Sequence, residues 1–470
     1  MSEALADVAG GGGEHRDRLA RRQFESSTVR AFTDAARRQK VAARDHIGQN
    51  SRMSAMAVPQ STRRDVQTIS LVGAGHFFSH FYYLVLPPLF PLLHEELGVD
   101  YTALGLLLTV NGLVAAAAQV PLGFMVDRMG ASKILLAGFA LMSLGVLLMG
   151  MLPYYWALLA LMALVGLGDA VFHPADYSIL SQVVSEQRMG RAFSIHYFTG
   201  QLGFAAAPAT SIAIAGWLGW QTALMVMGLA GLAVCTLMLY HRNLLETDTD
   251  AAPEASSKPD QSVRAGIGLL FSVPMILGLV MFAFLSLTGS GINSFGVSTL
   301  NLMHEINLAQ AGSVVSAYLF AAPVGALAGG VLADRLRRVE LIPVFAFAVV
   351  AVVIAYVAWA QPSIVQTAIL FCVAGFCAGA AGPCRDLLIR AITPPGQSGK
   401  AFGFVSMGLN AGGIIGPVVF GYVLDNMAPV SVFWATAGFA VLTLLSAACL
   451  GRLRVPTVAD THDNASEKTD

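Results

Sequence analysis

The chain has 470 residues, 55% of them apolar and only 12% charged, with 28 basic and 29 acidic side chains giving a net charge of −1. Soluble domains carry about 25% charged residues, so this composition excludes an ordinary soluble domain. The near-zero net charge itself says little, because the charges are unevenly placed. Cys235, Cys372, Cys377, Cys384 and Cys449 lie in or beside apolar segments without disulfide or zinc spacing, and read as small hydrophobes.

Residues 1–65 hold twelve of the 28 Lys and Arg residues and no long apolar run. They read as a basic, disordered cytoplasmic tail, with a surface helix on anionic lipid as the alternative. No apolar signal-peptide core follows Met1, and Met53 or Met56 is an alternative start. Beyond the tail, a hydrocarbon core of ~30 Å needs about 20 helical residues per crossing. Breaks at polar, Gly and Pro positions predict spans at 67–93, 102–126, 134–153, 155–184, 191–215 and 220–240. A polar, Ala/Pro/Ser-rich linker follows at 241–265. Six more spans are predicted at 266–299, 308–333, 340–360, 363–391, 398–424 and 429–450, before a second tail at 451–470. The span at 266–299 is too long for one straight crossing and is expected to bend near Gly289 and Gly291.

The loop charges alternate. Arg128, Lys133, Arg188, Arg242, Arg335 and Lys400 fall on the side of the two tails, whereas the opposite turns carry His94, Glu95, Glu96, Asp100, Glu305 and Asp425 without Lys or Arg. This positive-inside pattern predicts that both termini are cytoplasmic. The halves also repeat. "GFMVDRMG" (Gly123, Asp127, Arg128) returns as "GVLADRLR" (Gly330, Asp334, Arg335) 207 residues later. At an offset of 209, Pro174 pairs with Pro383, Gly203 with Gly412, Pro208 with Pro417 and Gln201 with Asn410. Six spans (66–240), a linker and six spans (266–450) in parallel repeat is the layout of a two-bundle transporter, with its site near mid-membrane between the bundles.

The stretch Gly123 to Lys133, G-x-x-x-D-R-x-G-x-x-K, resembles the loop between helices 2 and 3 of the major facilitator superfamily, and its degenerate copy runs from Gly330 to Arg338. Within that superfamily, "GHFFSHFYYLVLPPLFPLL", "FHP" and "GRAFSIHYFTGQLGFAAAP" resemble the fosmidomycin-resistance type of efflux carrier. The resemblance implies an all-α fold of twelve helices in two pseudo-twofold bundles. It also implies alternating access about a central cavity lined by helices 1 and 4. The loop of Gly123, Asp127, Arg128, Gly130 and Lys133, with Gly330, Asp334 and Arg335, would then act as a gating latch. One departure stands out: the fifth span has Ala207-Pro208 in place of the antiporter glycine–proline pair that Gly416-Pro417 keeps.

Charged groups are costly in a bilayer and usually face a polar interior. Asp169, His173 and Asp176 lie on one helical stripe, as do His76, His80 and Tyr83. Counting 1.5 Å per residue brings the two stripes to a common depth. Such a cluster can take and release a proton, although Asp176, nearest the cytoplasmic end, can also be merely solvated. Arg385, at the repeat position of Asp176, is a candidate anion contact or a partner for Asp176, and Asp386 and Arg390 are expected to pair with each other. Asn111, Gln119, His196, Gln201, Asn293 and Asn410 are further buried polar candidates. A metal set of His76, His80 and Asp169 is conceivable, but none is expected, and no P-loop or nucleophile elbow occurs.

The expected function is proton-coupled export of a small organic compound, by a monomeric bacterial inner-membrane carrier that is not an enzyme. Its expected partners are a small-molecule substrate and the lipid bilayer, with no nucleic acid and no cofactor beyond the coupling proton. Uptake of an organic acid and a non-transporting sensor are the alternatives.

Overall fold

The computed structural model describes residues 60–246, 270–336, 338–393 and 398–453, and among these it is helical with no strand. The tails and most of the linker lie outside the described residues. In the first half α1 (Gln60–Tyr83), a 3-10 turn (Pro87–Leu89), α2 (Phe90–Leu97), α3 (Tyr101–Met129) and α4 (Ala131–Met151) lead to α5 (Tyr155–Asp169), α6 (Phe172–Val183) and α7 (Met189–Tyr240). The second half comprises α8 (Val273–Asn293), α9 (Gly296–His304), α10 (Leu308–Arg335), α11 (Leu341–Ala360), α12 (Ile364–Ala391), α13 (Ser398–Asn426) and α14 (Ser431–Arg452).

Eleven helical stretches among the described residues are long and apolar enough to cross a membrane. One of them holds two predicted spans. The element α7 is broken at Gly219, whose φ of 80° and ψ of 158° are non-helical. Such a backbone is essentially restricted to glycine, so spans five and six are joined by a turn of one residue. Split there, the stretches match the twelve predicted crossings.

Two boundaries differ from expectation for a physical reason. The first span is not one rod: α1 stops at Tyr83, and Pro87 and Pro88 start a 3-10 turn before α2, because proline cannot donate to the preceding turn. In the second half the bend falls at Ser294–Phe295, not at Gly289 and Gly291. Those two glycines sit within the last turns of α8, and Gly291 serves close packing against Thr436.

Small residues set the helix contacts, as expected where lipid removes the usual hydrophobic drive between helices. The repeat is visible atom by atom. Gly166 of α5 packs on the Asn111 carbonyl of α3, and its counterpart Gly375 of α12 packs on the Tyr318 carbonyl of α10. Gly203 of α7 lies against the Phe77 carbonyl of α1, and its counterpart Gly412 of α13 lies against the Ala283 carbonyl of α8.

The halves meet at the end remote from the two tails. There Gly105 packs on the Pro417 carbonyl, Gly421 on the Tyr101 carbonyl and Gly312 on Ile212. Thr109 Oγ1 donates to the Ile414 carbonyl at 2.5 Å. Asp425, at the end of α13, accepts from the amides of Tyr101 and Thr102 at 2.8 Å each. These amides open α3 and have no helical partner of their own; a carboxylate satisfies them and complements the positive helix end. Toward the tail end, Gly123, Gly190, Gly330 and Gly403 have nothing of the opposite half against them.

Candidate functional site

The fourth crossing is broken where its chemistry sits. α5 ends at Asp169, Ala170 and Val171 form the junction, and α6 begins at Phe172. Pro174 has no N–H to offer the Ala170 carbonyl. The helix resumes with Ala175 N donating to Val171 O at 3.0 Å. The break turns His173, Asp176 and Tyr177 toward α1 and the first part of α7.

Asp176 is the centre of the arrangement. It is fully buried, at 0% exposure, with His76 at 2% and His196 at 4%. Its Oδ2 lies 3.0 Å from His196 Nε2 and 3.3 Å from His76 Nδ1. The His196 contact has hydrogen-bond geometry, and Nε2 donates when it carries the proton. The His76 and His196 rings stack at 3.6 Å. His80 stands 4.4 Å from His76, and His173 stands 5.6 Å from His76 and 6.3 Å from His80. Tyr177 approaches His196 to 5.4 Å. His173 and Tyr177 are exposed, so the buried trio has an aromatic rim open to the space beyond it. Among the described residues, His76, Asp176 and His196 are the set of ligand-type side chains close enough to hold a metal ion.

The sequence reading groups His76, His80, Asp169 and His173, with Asp176 further along the same stripe; the structure gathers His76, His80, His173 and Asp176. It differs over Asp176, which is not a solvated acid but the most enclosed member. The fourth crossing continues for two more turns beyond it, to Val183, and α1 and α7 cover it. His196, set by sequence among the general buried polar residues, belongs to the centre. Its signal was available, because Asp176 and His196 lie equally far from Glu186, the middle of the turn joining their helices. Asp169 is half-buried at the end of α5. Tyr83 reaches the second half beside Gly413. Gln201 is half-buried and its repeat partner Asn410 exposed.

Arg385 does not pair with Asp176. Its Nε lies 2.9 Å from Asp386 Oδ1 and its guanidinium sits 4.6 Å over the Phe282 ring. The expected Asp386–Arg390 pair is therefore replaced by a pair of chain neighbours, because Arg385 turns along its own helix onto an aromatic face. In the glycine loop, Gly130 adopts φ 94° between α3 and α4. Asp127, Arg128, Lys133 and Arg335 are exposed, and among the described residues Asp127 makes neither the helix cap nor the ion pair expected of it. Gly330 is likewise unpacked, and the side chain of Asp334 lies outside the described set.

A cleft of about 660 Å³ between α7 and α10, near Ile212, Trp217, Gly312 and Phe320, is lined by no titratable group. It lies toward the closed end, away from the histidines, and offers nothing for proton or anion chemistry.

Twelve crossings in two repeated halves, the first holding a buried ionisable cluster, define a secondary transporter of the two-bundle class. The profile described as Major Facilitator Superfamily matches residues 72–302 and 279–469, and the chain belongs to that family. It is 22% identical over 400 residues to the fosmidomycin resistance protein of Escherichia coli K12, covering 83% of this chain and 95% of that one. It is 25% identical over 268 residues to the uncharacterized MFS-type transporter YfnC of Bacillus subtilis 168, covering 57% of this chain and 65% of that one. Among solved structures, a bacterial homolog of the human lysosomal transporter Spinster superposes with a TM-score of 0.71 at 15% identity, over 86% of this chain and 100% of that one. The protein is thus an integral membrane transporter, acting on a small molecule, and not an enzyme.

Proposed function

We propose that the protein exports a small organic compound in exchange for protons. The observation that carries this reading is the dry contact of Asp176 with His76 and His196, reached from the open space through His173 and Tyr177. A lone carboxylate in such a place is costly unless a positive partner accompanies it. A proton placed on either imidazole supplies that partner, and its release removes it. Asp169 and His80 extend the path toward the closed end. The similarity to a fosmidomycin resistance protein favours outward movement of substrate.

Positive charge on the tail side supports a cytoplasmic location for both termini, in the inner membrane of a bacterium. In that orientation the halves touch on the outside, and an Asp127 that makes no ion pair among the described residues fits an unlatched, inward-open carrier. Rocking of the halves would then present the cluster to each side in turn.

A growth screen of deletion and overexpression strains against toxic compounds supplies a test substrate. In liposomes bearing an imposed pH gradient, the wild-type protein should move that compound against the proton flow. Asp169→Asn should insert normally yet lose gradient-driven flux. Full proton-driven flux in Asp169→Asn removes that residue from the path, and flux of compound along with protons replaces export by uptake.

A further inference from the structure

We infer that the cargo carries a carboxylate, and that Arg385 receives it through the terminal nitrogens of its guanidinium. A cation within a membrane crossing is costly and faces a polar interior rather than lipid. The Arg385 side chain is 21% exposed. Its guanidinium lies 4.6 Å over the ring of Phe282 on α8, which is buried in the core of the second half. The cation is therefore turned inward, and stacking on the aromatic face fixes its plane. Nε donates to Asp386 Oδ1 at 2.9 Å. A guanidinium offers five N–H donors, and among the described residues those on the terminal nitrogens make no hydrogen bond.

This face of α12 looks across to the first half. A methyl group on Gly382 would come within 3.8 Å of the Tyr197 hydroxyl of α7. Gly382 is one turn from Arg385 and Asp386, so all three share a side of the helix. Tyr197 is 49% exposed and presents ring and hydroxyl to the space between the halves. Arg385 also stands at the repeat position of Asp176. The two pseudo-equivalent positions thus carry opposite charges, and the positive one has donors to spare. Its planar fork matches the two oxygens of a carboxylate in bidentate pairing, and the Tyr197 ring suits an aromatic or apolar body attached to that group. Asp386, 48% exposed, occupies one edge of the guanidinium in the resting protein and is an internal rival of the cargo. A structural partner and a rival differ in consequence: losing a partner leaves Arg385 less well placed, whereas losing a rival strengthens binding of the acid.

The assignment names the cargo class of the carrier proposed above and rests on that reading only for the acid being moved; binding itself is read at equilibrium, at one fixed pH and without a gradient. The full chain in detergent is melted with benzoate, phenylacetate and cinnamate, each set against its uncharged amide. The acids should raise the melting temperature, and the amides should not. Arg385→Gln should lose the shift and Arg385→Lys keep part of it. Asp386→Asn should reach the same shift at about tenfold lower acid concentration. In the wild-type protein a bound acid should shield Arg385 from phenylglyoxal, read by peptide mass, while the exposed Arg128 reacts as before. That measurement keeps the test decisive if a variant fails to fold. No acid surpassing its amide, an undiminished shift in folded Arg385→Gln, weaker binding in folded Asp386→Asn, or an unshielded Arg385 each overturns the proposal. Acid binding without proton-driven flux would count against export alone, and proton-driven flux by a chain that binds none of the acids would count against this assignment alone.

Discussion

A methyl group at position 200 would sit 2.7 Å from His76 Nε2 and 2.9 Å from His80 Cε1. Both distances are below ordinary contact, and both rings are hemmed in. Gly200→Ala must therefore displace the imidazoles or spread α1 from α7. Overpacking of this kind costs about 1–3 kcal/mol, and the expected outcome is a lower melting temperature in detergent together with loss of transport. Gly216, which has open space around it, is the control: Gly216→Ala should melt at or above the wild-type temperature. The two glycines look alike in sequence, and only the packing of a neighbouring crossing separates them.

At the scale of the element, Pro174 governs where the fourth crossing bends. Pro174→Ala returns an N–H to the Ala170 carbonyl and should let α5 and α6 run on as one helix. Pro174 lies in the first turn of α6, where a proline costs little, so thermal stability should hold. The angle between Asp169 and Asp176 would change, and transport should fall. A melting curve and a flux assay on the same preparation check both halves of that expectation; unchanged flux would mean that the bend is unimportant. What could be read from sequence divides along the same line. Period and length located the crossings, and the paired motifs located the repeat, which the structure extends to Gly166 and Gly375 in matching contacts. The side-chain partners were harder. His196 joins Asp176 through the hairpin between two crossings, which periodicity along one helix does not register. Arg385 turns to Asp386 and Phe282, a choice made by rotamer and local packing. The interruption of the first crossing is written in Pro87 and Pro88, yet continuous apolarity through Leu93 masked it.

For the whole molecule, the closed end rests on a few polar contacts between halves that are otherwise held by backbone-to-glycine packing. Asp425 holds the start of α3 through two amides and the Thr102 hydroxyl. Hydrogen bonds to a charged group are worth about 1.5–3 kcal/mol, so Asp425→Asn should shift the balance of open and closed forms at this end by about tenfold. Spin labels on cysteines placed at Glu95 and Met427, in a chain freed of its native cysteines, would report the change as a longer distance population. An unaltered distribution would show that glycine packing alone holds this end shut.

The one-residue junction at Gly219 has a mechanical meaning. Without slack between them, residues 189–218 and 220–240 behave as a single folded lever whose hinge sits at the closed end. Trp220 anchors that hinge by donating from Nε1 to Glu96 Oε2 at 2.6 Å. The same element carries His196 at its other end, so the imidazole touching Asp176 shares one helix with the anchor at the opposite surface.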